Sequence, residues 1–431
     1  MKRSSWLILV CACLLHAGLL VGWRFQAPLV PYFFDATVLS GGRGLDFYSV
    51  YQAGYNARHG QDIYEGDPVL VTVVVPYFTP YRYLPPVAYT VGAALSLLAP
   101  LTAYKAWVVI VELTLLLCAA ASFYVTRGQP DLGARLAAMW LAFSPYYLEL
   151  FMGQFSLVQA ALILIMLLIA GGAWLASRQA DGASLFDVVW MASVIWKINT
   201  VVFVPVQTRL GRWRALVLGG LVTAAVTLPY FAIFPAHWRD FLANNFGNTV
   251  AGHELGNLGF RQLVYELLAV AGTGADMQRV AQLALIVVVG LAALGLTFWP
   301  RAGQPSISAL LSLWLVAFFL VSPQVWEHHY VMLLPVLVVA YRQRPGWLLA
   351  GVWLCLALPT PFGFTGLQPA IAANHDLRGF LLAPAWQFLL QHASKAMPTA
   401  LLFAYFAVKL AMVSDKASGI IPPAYKPAIS P

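Results

Sequence analysis

Residues 101–125 read LTAYKAWVVIVELTLLLCAAASFYV. As a helix rising 1.5 Å per residue, these 25 residues reach about 37 Å, enough to cross a hydrocarbon core about 30 Å thick. Apolar side chains cover every face of such a helix, so lipid rather than water is its natural surrounding. Lys105 lies close enough to the helix end to snorkel. Glu112 sits two turns further on and needs a structural hydrogen bond. Similar runs recur at 6–23, 84–99, 136–152, 155–177, 187–207, 215–235, 279–299, 306–322, 330–341, 346–360 and 397–413. Hydrophobic residues make up 61% and charged residues 10% of the 431, against about 45–50% and about 25% in soluble domains, too few charges to cover a soluble surface. The sequence therefore predicts an all-α polytopic membrane protein of about eleven to thirteen helices. Runs 84–99 and 330–341 are short and are expected as tilted partners or incomplete crossings.

The net charge of +8 comes from 25 basic and 17 acidic residues. The basic residues sit mostly singly between apolar runs, as topology signals do, and the tight group Arg209, Arg212 and Arg214 caps a span. This pattern excludes a nucleic-acid-binding surface. Cys11, Cys13, Cys118 and Cys355 all lie inside apolar runs without CxxC spacing, which argues against zinc and against a disulfide framework. Lys2-Arg3 followed by Trp6–Val21 resembles a signal peptide, but no A-x-A site follows, so an uncleaved first helix is expected.

With Lys2 and Arg3 in the cytoplasm, strict alternation of the spans puts Arg209, Arg212, Arg214, Arg301, Arg342, Arg344 and the Lys416/Lys426 tail on the same side. The loop 126–135, with Arg127 and Arg135, then lands outside against the rule. A half-span at 84–99 repairs it but requires a second compensating change. The same alternation places 24–83, 236–278, 323–329 and 361–396 outside. These segments hold eleven of the seventeen acidic residues, and polar chemistry is expected there. Residues 1–413 form one transmembrane domain in this reading, and 414–431, rich in proline near the end, form a disordered cytoplasmic tail.

The first outer loop contains GGRGLDFYSVYQAG at 41–54. A glycine-rich turn delivers Asp46 to the start of a segment with Phe47, Val50, Tyr51 and Gly54 at helical spacing, which predicts a short amphipathic helix along the membrane surface. Asp46 is a candidate helix cap and a candidate catalytic acid or base, and the two roles are compatible. The loop continues with NARHGQDIY at 56–64 and YRYLPPVAY at 81–89. Arg58 and Arg82 have aromatic neighbours, and their expected partners are lipid head groups.

Asp46-Phe47-Tyr48-Ser49-Val50-Tyr51 and these two segments, with Met152-Gly153-Gln154-Phe155, Trp196-Lys197 before Pro205, and SPQVWEHHY at 322–330, resemble glycosyltransferase family 87 in order and spacing. These are polyprenol-phosphate-mannose-dependent α-mannosyltransferases of the GT-C superfamily. An Asp-x-Asp motif is missing; the chain has Glu65-Gly66-Asp67 instead. The resemblance implies a GT-C-type bundle with a catalytic first external loop carrying short interfacial helices. It implies a bacterial inner-membrane enzyme with its site on the periplasmic side. The reaction is inverting transfer of a sugar, mannose first, from a polyprenyl-phosphate donor to a glycolipid or glycan acceptor. Asp46 maps onto the base. His328, and next to it His329, would meet the sugar or donor phosphate, and Lys197 would meet the phosphate. Gln154 and Tyr48 belong to the matching motifs. Asn257, in an Asn-rich aromatic loop, is a candidate sugar contact and Arg261 a candidate phosphate partner. No metal ligands or other cofactors are expected, although a divalent ion remains compatible with the chemistry. Three alternatives compete: a transporter or flippase of lipid-linked sugars, a non-catalytic membrane subunit, and an enzyme using another polyprenyl-phosphate sugar. The missing inverted repeat and the scarcity of acids within the spans count against the transporter.

Overall fold

A computed structural model describes residues 3–25, 43–65, 74–75, 79–171, 179–246, 256–299, 305–360 and 385–412. The expectations for the 414–431 tail and for most of 361–396 lie outside these residues. No strand occurs among the described residues, and the chain is an all-helical, polytopic integral membrane protein.

Helix α1 is Arg3–Phe25, and α2, in the first loop, is Leu45–Arg58. A short segment follows, built from Pro85–Val87, a π turn over Ala88–Gly92 and Ala93–Leu95. Next come α3 (Pro100–Tyr124), α4 (Pro130–Leu141), α5 (Pro145–Met152) and α6 (Ser156–Ala170). Helix α7 is Gln179–Trp196, and a 3-10 turn, Ile198–Phe203, leads into α8, Val204–Arg209. The chain continues as α9 (Trp213–Ile233), α10 (His237–Phe246), α11 (Phe260–Val270) and α12 (Ala275–Phe298). After α13 (Ile307–Val321), a 3-10 segment Glu327–Leu333 runs into α14 (Leu334–Gln343). Helices α15 (Trp347–Ala357) and α16 (Ala385–Ala411) complete the described chain. Four helices, α1, α3, α9 and α12, are long and apolar enough to cross a membrane unbroken. Among the described residues the others are shorter or interrupted, except the 27-residue α16, which is less apolar, and the interruptions place polar groups inside the bundle.

Two interruptions bear on the alternation read from the sequence. The helical part of 84–99 covers only 85–95, about 16 Å of rise, too short to cross. Arg127, after α3, lines one recess with Arg342 and Gln343 at the end of α14, so the 126–135 loop lies at the same end of the bundle as the other basic turns. The second interruption is at Lys197. The run 187–207 is not one span but a hairpin, since Trp190 Nε1 donates to the Thr200 carbonyl at 2.9 Å and the Ser193 and Thr200 hydroxyls bond at 2.9 Å. Arg212, past the descending leg, pairs with Asp187 on the ascending one at 2.9 Å. Pro205 has no N–H to bond the carbonyl of residue 201, and Thr200, Val201 and Val202 are β-branched, so α-helix cannot continue smoothly through the turn. The chain thus turns back at Lys197 inside a single apolar run.

Helix α2 forms where expected but is buried nearly all round, not along one face. Its polar residues find partners within the protein. Gln52 Nε2 donates to Asn56 Oδ1 at 2.8 Å, and Asn56 Nδ2 donates to the Asp62 and Glu65 carbonyls at 2.7 and 3.1 Å. The exposed Arg58 donates from its guanidinium to the Ser96 carbonyl at 2.8 Å and closes the C-terminus of the 85–95 segment. Glu112 finds His16 of α1, whose Nε2 lies 3.2 Å away while Nδ1 meets the Tyr147 hydroxyl at 3.0 Å.

The tightest approach in this region is between Gly54 of α2 and Gly92 of the π turn, where a Cβ on Gly54 would fall 1.9 Å from the Gly92 carbonyl carbon. Gly54→Val is expected to cost about 3 kcal/mol or more and to lower the unfolding temperature in detergent sharply. Gly18→Ala, whose Cβ meets nothing within 4 Å, serves as the control and is expected to be silent. Equal unfolding temperatures for Gly54→Val and wild type would contradict this packing.

Candidate active site

The Asp46 carboxylate is buried, with 7% of the residue exposed. It does not cap its helix. Gly44 occupies the N-cap, makes no side-chain cap bond, and leaves Asp46 as the second helical residue. Both carboxylate oxygens bond to neutral donors instead. Thr79 Oγ1 donates to Oδ1 at 2.6 Å, and Gln154 Nε2 donates to Oδ2 at 2.6 Å. The Gln154 amide is oriented by the Tyr83 hydroxyl, which donates to its Oε1 at 3.3 Å. Burial pushes the Asp46 carboxyl above its ordinary value of 3.8, against the hydrogen bonds of Thr79 and Gln154 and the charges of Lys197 and Arg82, which pull it down.

Gln154 arrives from the break between α5 and α6. Gly153 turns there with φ +64°, and a Cβ on it would meet Phe47 Cβ at 2.5 Å, so only glycine lets the break nest against α2. Beside it, Glu149 of α5 is fully buried; its Oε1 accepts the Leu157 N–H at 2.7 Å, while Oε2 has no hydrogen-bond partner among the described residues. Lys197, in extended backbone at the hairpin turn, donates to Ser156 Oγ at 2.9 Å and lies 6.0 Å from the centre of the Tyr83 ring. Arg82 bonds Gln324 Oε1 at 3.3 Å and acts on the Asp46 carboxylate. Two acidic side chains and two basic ones thus meet at one end of the bundle.

The histidines enter on the 3-10 segment. Burial first, and the Lys197 charge second, hold the His328 imidazole well below its usual range, so it stays neutral; its buried Nε2 has no hydrogen-bond partner among the described residues. The His329 imidazole is depressed in the same direction, by burial above all, and its Nδ1 accepts the Trp326 N–H at 3.1 Å. Glu327 points elsewhere: it accepts from the Thr360 hydroxyl at 2.7 Å and pairs with the buried Lys395 at 3.6 Å, which anchors the segment to α16.

Asp46, Gln154, Lys197, His328 and His329 therefore gather, joined through hydrogen bonds or through the charge of Lys197. Tyr48 stands two residues from Asp46 on another face of α2, its ring against Phe47 and Tyr104. The Asn257 amide is consumed by the protein. Its Nδ2 donates to the Pro323 carbonyl at 2.7 Å and its Oδ1 accepts from Val325 and Gly259 N–H at 3.0 and 3.2 Å, so it aligns the strand-like approach to the histidines. Arg261 Nε donates to Gln282 Oε1 of α12 at 2.8 Å, and no contact among the described residues ties it to Asp46. Thr79, Tyr83, Glu149 and Gln324 escaped the sequence reading. An acid inside an apolar run was the available signal for Glu149; a neutral Thr79 offered none.

The sequence profile described as Glycosyltransferase family 87 matches residues 82–323, more than half of the chain. The chain belongs to glycosyltransferase family 87. It is 29% identical over 374 residues to a polyprenol-phosphate-mannose-dependent alpha-(1-2)-phosphatidylinositol mannoside mannosyltransferase of Mycolicibacterium smegmatis, covering 80% of this chain and 79% of that protein. No solved structure matches it. As a family 87 glycosyltransferase the chain is an enzyme, and the buried ionisable cluster is its candidate site. Asp46 and the two histidines lie outside the matched segment, so their place in the site rests on the geometry.

Thr79→Val removes one hydrogen bond to the ionised form of Asp46 at nearly constant volume. The carboxyl then shifts further upward, and the acid limb of kcat/KM moves to higher pH. Burial already pushes the Asp46 carboxyl above its ordinary value, so the wild-type limb is itself expected on the high side. A pH–rate profile of both proteins checks the direction, and coincident limbs would detach Asp46 from the titration.

Proposed function

We propose that this enzyme transfers mannose, with inversion, from a polyprenyl-phosphate donor to a hydroxyl of a glycolipid or glycan acceptor at the outer face of the membrane. The observation that carries this reading is a carboxylate held by two neutral donors beside two cations. A general base must be ionised yet basic enough to take a proton, and burial without direct ion pairing gives that balance.

In the step, the acceptor oxygen attacks the anomeric carbon as its proton passes to Asp46. The bond from that carbon to the phosphate oxygen breaks on the opposite face, and the polyprenyl phosphate leaves with its extra negative charge. Lys197 and Arg82 face that charge. His328, neutral and with Nε2 unclaimed among the described residues, offers a hydrogen bond suited to a sugar hydroxyl. The donor in the mycobacterial relative's name, polyprenol-phosphate-mannose, supports mannose and polyprenol phosphate. The outer location is supported by the basic residues Arg127, Arg342 and Lys409, which gather at the other end of the bundle from Asp46.

The experiment is transfer of radiolabelled mannose from polyprenyl-phosphate-mannose to a membrane lipid extract. Wild type is expected to transfer it, and Asp46→Asn to fall by about 10²–10⁴-fold with normal expression and folding. Equal rates would remove Asp46 from the chemistry. Wild-type transfer from another polyprenyl-phosphate sugar but not from this one would reassign the donor. His328→Ala is expected to slow turnover by about tenfold to a hundredfold, the loss of one hydrogen bond in the transition state, and full activity would return this histidine to a packing role.

A further inference from the structure

Two recesses adjoin at the end of the bundle away from Asp46. The first, about 370 Å³, is lined by Arg127 and Gln129 from the turn after α3 and by Arg342 and Gln343 from the end of α14. The second, about 550 Å³, is lined by Ala119, Ala120, Phe123 and Tyr124 of α3 and by Ala137 of α4. Thr126 and Arg127 belong to both, so a polar chamber opens beside an apolar groove. No acidic residue lines either recess among the described residues; Asp131, the nearest acid in the sequence, lines neither.

Two arginines far apart in sequence thus converge without a carboxylate between them, and their repulsion is relieved when an anion occupies the chamber. A third cation stands behind them: Lys409 donates to Gln343 Oε1 at 2.8 Å, while Gln343 Nε2 donates to Ser308 Oγ at 3.0 Å, which fixes the amide. The Arg127 guanidinium carbon lies 3.4 Å from the centre of the Tyr124 ring. Stacking occupies the face of the guanidinium and leaves its edge for oxygen acceptors.

We infer that this pair of recesses binds an anionic phospholipid, its phosphate between Arg127 and Arg342 and an acyl chain along Ala120 and Phe123. A small soluble anion would use only the chamber and leave the groove empty. A zwitterionic lipid would bring its own cation beside the arginines. Basic pockets between membrane helices with an apolar flank suit a net negative head group. The site is independent of the catalytic reading, and neither arginine is part of the Asp46 cluster.

The test uses the purified full chain in detergent, with binding of phosphatidylglycerol, phosphatidylcholine and inorganic phosphate followed by native mass spectrometry and by thermal unfolding. Phosphatidylglycerol is expected to bind and raise the unfolding temperature in preference to the other two. Arg127→Gln and Arg342→Gln are each expected to weaken it about fivefold. Ala120→Trp, which fills the groove and leaves every charge in place, is expected to weaken it as well. Binding of inorganic phosphate with equal effect, or loss in the arginine variants without loss in Ala120→Trp, would overturn the lipid assignment. Indifference to head-group charge in the wild type would overturn the site altogether.

Discussion

The buried, ionisable Asp46 is the constraint around which the site is arranged. Removing a carboxylate from water costs several kcal/mol even after relaxation. Hydrogen bonds to an ionised group return about 1.5–3 kcal/mol each, and Thr79 and Gln154 supply two of them at 2.6 Å. The charges of Lys197 and Arg82 offset part of the remainder. These four partners come from the first loop, the α5–α6 break and the α7 hairpin. Burial and these partners together set the proton affinity of Asp46, so docking of the loop onto the bundle also tunes the carboxylate.

The polar contributors sit where helices are interrupted, and each interruption frees backbone groups that lipid cannot satisfy. Side chains take them up. Glu149 accepts the Leu157 N–H at the start of α6, one of the backbone donors that the helix itself leaves unpaired. Tyr104 donates to the Leu150 carbonyl at 2.9 Å, Trp107 to that of Gln154 at 3.2 Å, and Trp196 to that of Phe155 at 3.0 Å. Gln159 reaches the Lys197 carbonyl at 3.3 Å. The aromatic ring of donors thus makes broken helices tolerable at the very level where the chemistry needs their irregular backbone.

The membrane class and the principal charged residues were legible because their physics is local. Span length, an acid after a glycine turn, and a lysine inside an apolar run each carry their meaning in a few residues. The topology between residues 84 and 209 was not, since hydropathy counts apolar residues and is blind to where a chain reverses. Run 187–207 stays apolar through its own turn, and 84–99 stays apolar although its helix covers only eleven residues. The protein partners of Asn257 and Arg58 were hidden for a different reason. Amides and guanidiniums serve backbone carbonyls as readily as ligands, and only the fold decides which carbonyl is near. Thr79 illustrates the limit: a neutral hydroxyl in a loop has no distinguishing sequence mark, yet it holds half of the Asp46 carboxylate.

The choice of neutral donors for Asp46 bears on how the proposed transfer proceeds. A bidentate arginine would hold the carboxylate ionised more firmly but would also make it a poor base, because a stabilised anion resists protonation. Thr79 and Gln154 position the oxygens while burial keeps their proton affinity up. As the acceptor proton reaches Asp46, one negative charge disappears there, and as the glycosidic bond breaks, one appears on the departing phosphate. The net charge of the site is unchanged across the step; the charge only moves towards Lys197 and Arg82. Cations that first favour the ionised base then favour the leaving group, so the same electrostatics serve the beginning and the end of the reaction with little reorganisation between them.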